Sequence, residues 1–117
     1  MIEAIIRNYL LPLLAVPVYV DVPAEPPASY VSIERTGGGE TEHIREATIA
    51  LQSYGASKSA AASLHEIVMA KMKNLITLDR ISACDLNAEY DYTDLATKRY
   101  RYQAVYNIVY YGGITNG

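Results

Sequence analysis

The run KRYRY at residues 98–102, in which basic residues alternate with tyrosines, is the best candidate for chemistry in this sequence. Cations and aromatic rings together can bind single-stranded nucleic acid through charge and base stacking. In a strand, however, the period of two places Arg99 and Arg101 on one face and Tyr100 and Tyr102 on the other. Charge and rings then do not share a surface. The pattern therefore favours a polar sheet face opposite a core face, ahead of a protein interface through the arginines and of nucleic-acid binding.

Three consecutive glycines, Gly37, Gly38 and Gly39, form the second candidate. A phosphate-binding P-loop needs Lys-Ser/Thr after its glycines and then a helix. Here Glu40 and Glu42 follow instead, and their carboxylates would repel phosphate. The glycines therefore predict a flexible segment rather than a nucleotide site.

The remaining nucleophiles and metal ligands form no recognisable site. His43 and His65 lack the clustered partners that a metal site needs, and we interpret them as solvent-exposed or packing residues. Cys84 precedes Asp85, whose charge disfavours a thiolate. The carboxylates of Glu89, Asp91 and Asp94 lack the glycine and the terminal glutamate of a calcium-binding loop. We interpret them as a solvated turn. We predict no catalytic residue, no cofactor and no metal, and expect a protein that is not an enzyme.

The composition indicates one domain over residues 1–117. The chain has half apolar residues, a net charge of −3 and a single cysteine. These values disfavour a disordered chain, a generally basic nucleic-acid binder and a fold held by an internal disulfide. All 11 aromatic residues are tyrosines. Because each ring carries a hydroxyl group, this set is typical of half-buried sheet faces and protein interfaces.

The elements that must position these residues follow from hydrophobic periodicity and from turn residues. We predict an α+β fold in the order α-β-β-β-α-β-β, with a mainly antiparallel mixed sheet of four to five strands and both helices packed on one face. The predicted helices cover 2–14 and 57–74, and the predicted strands cover 16–22, 30–35, 44–54, 81–92 and 99–111. We expect residues 36–43 to form the mobile tip of a long hairpin, and residues 112–117 to form a loose tail.

Two periodic patterns predict the core. In the second helix the apolar stripe consists of Ala60, Ala61, Leu64, Ile67, Val68, Met72 and Leu75. In the last strand one face carries Tyr100, Tyr102, Ala104, Tyr106, Ile108 and Tyr110.

The apolar N-terminus does not predict a membrane span or a secretion signal. Glu3 stands where a signal peptide would carry positive charge. Arg7 and Pro12 interrupt the apolar run. The sequence therefore predicts a helix of a soluble protein, with no membrane partner.

The ordered features resemble one protein family over nearly the whole chain. A short helix and a Pro-rich loop precede YVSIERTGGG and the strand ATIALQSYG. The helix SKSAAASLHEIVMAKMKNL and the segment DYTDLATKRYRYQAVYNIVYY follow. This arrangement resembles the tail terminator (tail completion) proteins of long-tailed phages, especially those carried by prophages of Gram-positive bacteria.

The resemblance implies a structural virion protein with a mixed sheet and helices on one side. Tail terminators form hexameric rings on the head-proximal end of the tail tube, stop tube growth and present a surface for head joining. The implied partners are further copies of the chain, the tail tube protein and a head completion or connector protein. Duplex DNA would pass through the lumen without sequence recognition. The protein would be assembled in the bacterial cytoplasm and end in the virion tail. The alternatives are a head-side connector or stopper of the same joint, and a small RNA-binding module that uses residues 98–102.

A ring needs one heterologous contact that repeats until it closes. Our hypothesis for that contact pairs Arg99 and Arg101 of one subunit with Glu40 and Glu42 of the next. Arg45 is a further interface candidate. We expect the glycines 37–39 to form a flexible loop that becomes ordered when it docks.

Overall fold

A computed structural model describes residues 1–111 of the chain. The helices are α1 (Ile2–Leu10) and α2 (Lys58–Met72), and the strands are β1 (Val18–Tyr19), β2 (Tyr30–Thr41), β3 (Ile44–Gly55), β4 (Ile81–Asp91) and β5 (Tyr100–Tyr111). This order matches the predicted one. Short 3₁₀ helices at Leu11–Leu13 and Leu75–Thr77 follow the two α-helices. The predicted tail at 112–117 lies outside the described residues.

Prolines shorten the first two predicted elements. The first helix ends at Leu10 rather than at residue 14, because Pro12 cannot donate a helical hydrogen bond and lies in the 3₁₀ turn. The first strand contains only Val18–Tyr19, directly after Pro17. The second helix begins as predicted, since the Ser57 side chain accepts a hydrogen bond from the Ala60 N–H at 3.1 Å.

The sheet is five-stranded and mixed, in the order β1-β2-β3-β5-β4. β1 runs parallel to β2, and every other neighbouring pair is antiparallel. The last strand in sequence, β5, thus lies between β3 and β4. The α+β class is confirmed, and the short parallel edge strand makes the sheet mixed.

Both helices cover the same face of this sheet. The core joins α1 through Ile2, Ile6 and Leu10 to the sheet and to the inner side of α2. On β5 the predicted inward face is confirmed at its buried members, which are Ala104, Tyr106, Ile108 and Tyr110. Within residues 1–111 no helix is long and apolar enough to cross a membrane.

The buried line of α2 differs from the predicted stripe. Ala61, Val68 and Met72 are buried as expected, but His65 is only 2% exposed and Ile67 is 49% exposed. Ala60 is exposed as well. The helix therefore directs His65 toward the sheet, where its imidazole contacts the Glu89 carboxylate on β4.

The β2–β3 hairpin is more regular than predicted. Gly37, Gly38 and Gly39 pair with Thr48, Ala47 and Glu46, so they belong to a strand rather than to an open loop. A bulge between Arg35 and Gly37 precedes them. The connection is a two-residue turn at Glu42 and His43, whose φ angles are 50° and 72°. Positive φ at both residues matches the twist of a tight hairpin, so only this turn forms the tip.

Candidate functional site

The turn that joins β4 to β5 presents two cations at one end of the sheet. The backbones of Asp94 and Arg99 exchange hydrogen bonds of 3.1 and 3.2 Å. The Asp94 carboxylate accepts the Ala96 N–H at 3.0 Å. Hydrogen bonds from the Thr97 side chain and from this N–H lower the pKa of Asp94. The turn is therefore held by its own contacts, and it leaves the side chains of Lys98 and Arg99 in solvent.

A cavity of about 460 Å³ opens beside these cations. The Pro-rich loop at 24–28 forms one wall, and Lys98 and Arg99 form another. Tyr30 and Tyr54 form the floor, with parallel rings whose centroids are 4.2 Å apart. We call this cavity the basic pocket.

Gly55 at the end of β3 lets the basic pocket form beside α2. A side chain at this position would run into the backbone of Ala60 and Ala61 at the start of the helix. The glycine therefore allows the helix to begin directly behind the pocket.

Arg101 does not act together with Arg99, although the sequence suggests one basic face. Its Nη1 donates to the Tyr54 hydroxyl at 3.0 Å, and its Nε donates to the Tyr92 carbonyl at 2.7 Å. Its guanidinium carbon lies 4.5 Å from the centre of the Tyr92 ring. Within the run, Tyr102 instead packs against the ring of His65 on the helix-covered face. The rings that contact Arg101 come from outside the run, from β3 and from the segment after β4. Arg101 is part of the fold, and Arg99 is the exposed cation.

A ladder of side-chain hydrogen bonds crosses the sheet face that the helices leave uncovered, next to Arg101. Ser32 donates to Gln52 at 2.7 Å, Gln52 donates to Gln103 at 2.7 Å, and Gln103 donates to the Tyr90 hydroxyl at 2.5 Å. The ladder joins four strands, and it satisfies the nearly buried Ser32 and Gln103. Sequence reasoning missed it, because no local pattern reveals which polar residues face each other across strands.

The opposite end of the sheet is acidic. Glu40 and Arg45 pair across the hairpin, with 3.7 Å between the Glu40 carboxylate and Arg45 Nε. Glu42 lies at the turn and is exposed, and within residues 1–111 it forms no ion pair. Glu42 is therefore an unpaired carboxylate at the apex of the hairpin, and we call residues 42–43 the acidic turn.

The acidic turn and the basic pocket lie at opposite ends of the same long strands. The β3–β5 register runs from Ile44 opposite Tyr111 to Gly55 opposite Tyr100. At about 3.3 Å per residue the two ends are about 36 Å apart. The structure brings Glu40 to Arg45 within one chain, and it keeps both acidic candidates away from Arg99 and Arg101.

The histidines separate into one exposed and one buried residue. His43 forms part of the acidic turn. His65 is buried, with its Nε2 atom 2.7 Å from the Glu89 carboxylate and its ring 5.2 Å from that of Tyr102. Its Nδ1 atom has no hydrogen-bond partner within the described residues. His65 therefore packs, as one of the two interpretations predicted.

The single cysteine is a poor nucleophile. Partial burial, and then the neighbouring Asp85 charge, raise the pKa of the Cys84 thiol to about 11. Among residues 1–111 no three side chains of the metal-binding types converge on one point. Asp91 instead pairs with Lys58 at 3.4 Å.

What the geometry offers is a contact surface: a concave cationic pocket at one end and a protruding carboxylate at the other. Protein-family models give no match to this chain, and no curated protein matches it significantly.

Proposed function

We propose that this chain is a structural virion protein of a long-tailed phage. Copies of the chain form a ring on the head-proximal end of the tail tube, stop its growth and permit the head to join. The resemblance of nearly the whole sequence to tail terminators supports this assignment. The α+β class, with both helices on one face of a mixed sheet, agrees with the architecture that the resemblance implies.

The observation that carries the proposal is the separation of unpaired charges to the two ends of one sheet. Glu42 at one end and Arg99 at the other cannot meet within a chain, because about 36 Å of strand separates them. Between copies the two ends are complementary. A contact of this kind is heterologous, so its repetition closes into a ring or continues as a filament.

The dimensions of the molecule are compatible with a ring that passes DNA. The described residues extend over 44 × 25 × 24 Å. Six copies side by side, with their long axes parallel to the ring axis, leave a lumen of about 25 Å, and six copies joined end to end along the long axis leave about 60 Å. Both of these arrangements admit duplex DNA, which is about 20 Å across.

The engagement of Arg101 favours this proposal over an RNA-binding module. The 98–102 run would need both arginines and its tyrosines on one accessible surface. Arg101 instead bonds to Tyr54 and lies on Tyr92 within the chain. Residues 98 and 99 then remain as the accessible cations of the run.

The decisive experiment is electron microscopy of phage particles assembled without this chain. We expect overlong tubes beside unattached, DNA-filled heads, and normal tails when the chain is supplied from a plasmid. Tails of normal length with unjoined or leaking heads would assign the chain to the head side of the joint. Normal particles would contradict a role in virion assembly.

A further inference from the structure

We propose that the basic pocket binds the acidic turn of a second copy of this chain, with the Glu42 carboxylate placed between Lys98 and Arg99. This contact deepens the proposed function, on which it rests, by naming where one subunit holds the next. It also replaces the sequence-based pairing that included Arg101.

The pocket has the charge and the shape to receive one carboxylate. Lys98 and Arg99 line it, and neither side chain forms a hydrogen bond or an ion pair within residues 1–111. Glu25 lines the opposite wall, so two cations and one carboxylate leave a single net positive charge. A net charge of this size suits one acidic side chain better than the many phosphates of a nucleic acid. The stacked Tyr30 and Tyr54 provide an apolar floor for the rest of the inserted turn.

The acidic turn matches this receptor in charge and in width. Glu40 pairs with Arg45, whereas Glu42 lies at the apex of the hairpin and forms no ion pair within residues 1–111. The hairpin is closed by only two residues, which keeps its end narrow. Glu42 and His43 are both exposed, so the turn is accessible to a neighbour without local unfolding.

The separation of the two surfaces makes the contact intermolecular and repeatable. A single chain cannot bring its own turn to its own pocket across the length of the sheet. Each copy offers one turn and one pocket, so each copy has two neighbours. Association that rests on exposed charges also weakens as salt is added.

Sedimentation velocity on charge-reversed full-length chains tests the contact. Arg99→Glu places a carboxylate opposite Glu42, and Glu42→Arg places a cation opposite Arg99. We expect each variant alone to associate at least about tenfold more weakly than the unmodified chain at low salt. An equimolar mixture of the two variants restores opposite charges at every contact. It should therefore associate within about threefold of the unmodified chain.

Two matched controls separate this contact from a general effect of net charge. Lys73→Glu and Asp79→Arg change the net charge by the same amounts at exposed positions outside the pocket and the turn. We expect both to associate like the unmodified chain. Circular dichroism of every variant should show an intact fold.

Several results would overturn the inference. They are undiminished association of either single variant, a mixture no better than its components, or an unmodified chain that stays monomeric at about 1 mM. Competition of a short single-stranded RNA with self-association would assign the pocket to nucleic acid instead.

The contact and the proposed function can fail separately. Normal tails without the chain, together with rescue in the mixture, would leave the contact standing and refute the function. Overlong tails without the chain, together with no restored association in the mixture, would support the function and refute the contact.

Discussion

His65 Nε2 lies 2.7 Å from the Glu89 carboxylate, and this contact joins the buried side of α2 to the edge strand β4. Glu89→Ala should lower the free energy of unfolding by about 1–2 kcal/mol, because a buried imidazole loses its hydrogen-bond partner. Urea denaturation measures the change. Asp85→Ala removes an exposed carboxylate from the same strand and should cost less than about 0.5 kcal/mol. Equal effects of the two substitutions would show that the His65 contact contributes nothing.

The two arginines of the KRYRY run should differ in what they affect. Arg101→Ala removes the hydrogen bond to Tyr54 and the cation on the Tyr92 ring, so it should destabilise the fold by about 1–2 kcal/mol. Arg99→Ala should change stability by less than about 0.5 kcal/mol, because its side chain is exposed. Thermal and urea unfolding of both variants decide this point. A larger loss at residue 99 would contradict the assignment of Arg101 to the fold.

Replacing two neighbouring glycines in β2 with alanine should have different effects on stability. Gly38 has a φ of 155°, and a side chain there would collide with Arg35 and with the Glu46 carbonyl. Gly38→Ala should therefore cost about 1–3 kcal/mol of stability. At Gly39 nothing lies within 4 Å of an added methyl group. Gly39→Ala should be neutral or stabilise by up to about 1 kcal/mol, since it restricts the unfolded chain. Unfolding curves that rank the two variants the other way would refute this placement of the glycines.

Stability should fall in alkaline solution. Burial, followed by the Asp85 charge, raises the pKa of Cys84 from 9.0 to about 11, and burial also raises the pKa of Tyr106 from 10.0 to about 12. Each group is protonated more firmly in the folded state. Its stabilising contribution is present below the unfolded pKa and is lost as the pH rises toward the folded pKa. Urea unfolding between pH 8 and 12 should show a decline that begins at about pH 9.

Two substitutions test which residue causes each part of this loss of stability at alkaline pH. Cys84→Ala should flatten the portion between about pH 9 and 11, and Tyr106→Phe the portion above about pH 10. Profiles identical to that of the unmodified chain would contradict burial as the cause. Cys84 should also react slowly with iodoacetamide until the protein unfolds, because the thiolate is the reactive form.

Local periodicity was sufficient for the order of elements and for the inward face of β5. There the alternation is unbroken, and Tyr106, Ile108 and Tyr110 are buried as expected. It was insufficient for α2, where Ile67 fits the apolar stripe better than His65. The difference arises because Glu89, which lies 24 residues away in sequence, makes burial of the imidazole favourable. A partner on another strand cannot be read from the helix itself.

The candidate site was predictable as a list of charges but not as an arrangement. Arg99 and Glu42 are exposed, as the sequence-based interface hypothesis requires. The pairing of Glu40 with Arg45 depends on the hairpin register, which a two-residue turn sets at 42–43. The engagement of Arg101 depends on Tyr54 and Tyr92, which only the sheet order brings together. Local sequence patterns predict neither this register nor this sheet order.

The position of β5 has a consequence for synthesis. This strand follows all the others in the described chain, yet it lies between β3 and β4. During translation, the hairpin and β4 therefore have no shared partner until residues 100–111 have left the ribosome. The basic pocket is also incomplete until then, because Lys98, Arg99 and Tyr100 follow every other residue that lines it. In the proposed contact, a nascent chain therefore offers its acidic turn before it can form a pocket for the turn of another copy.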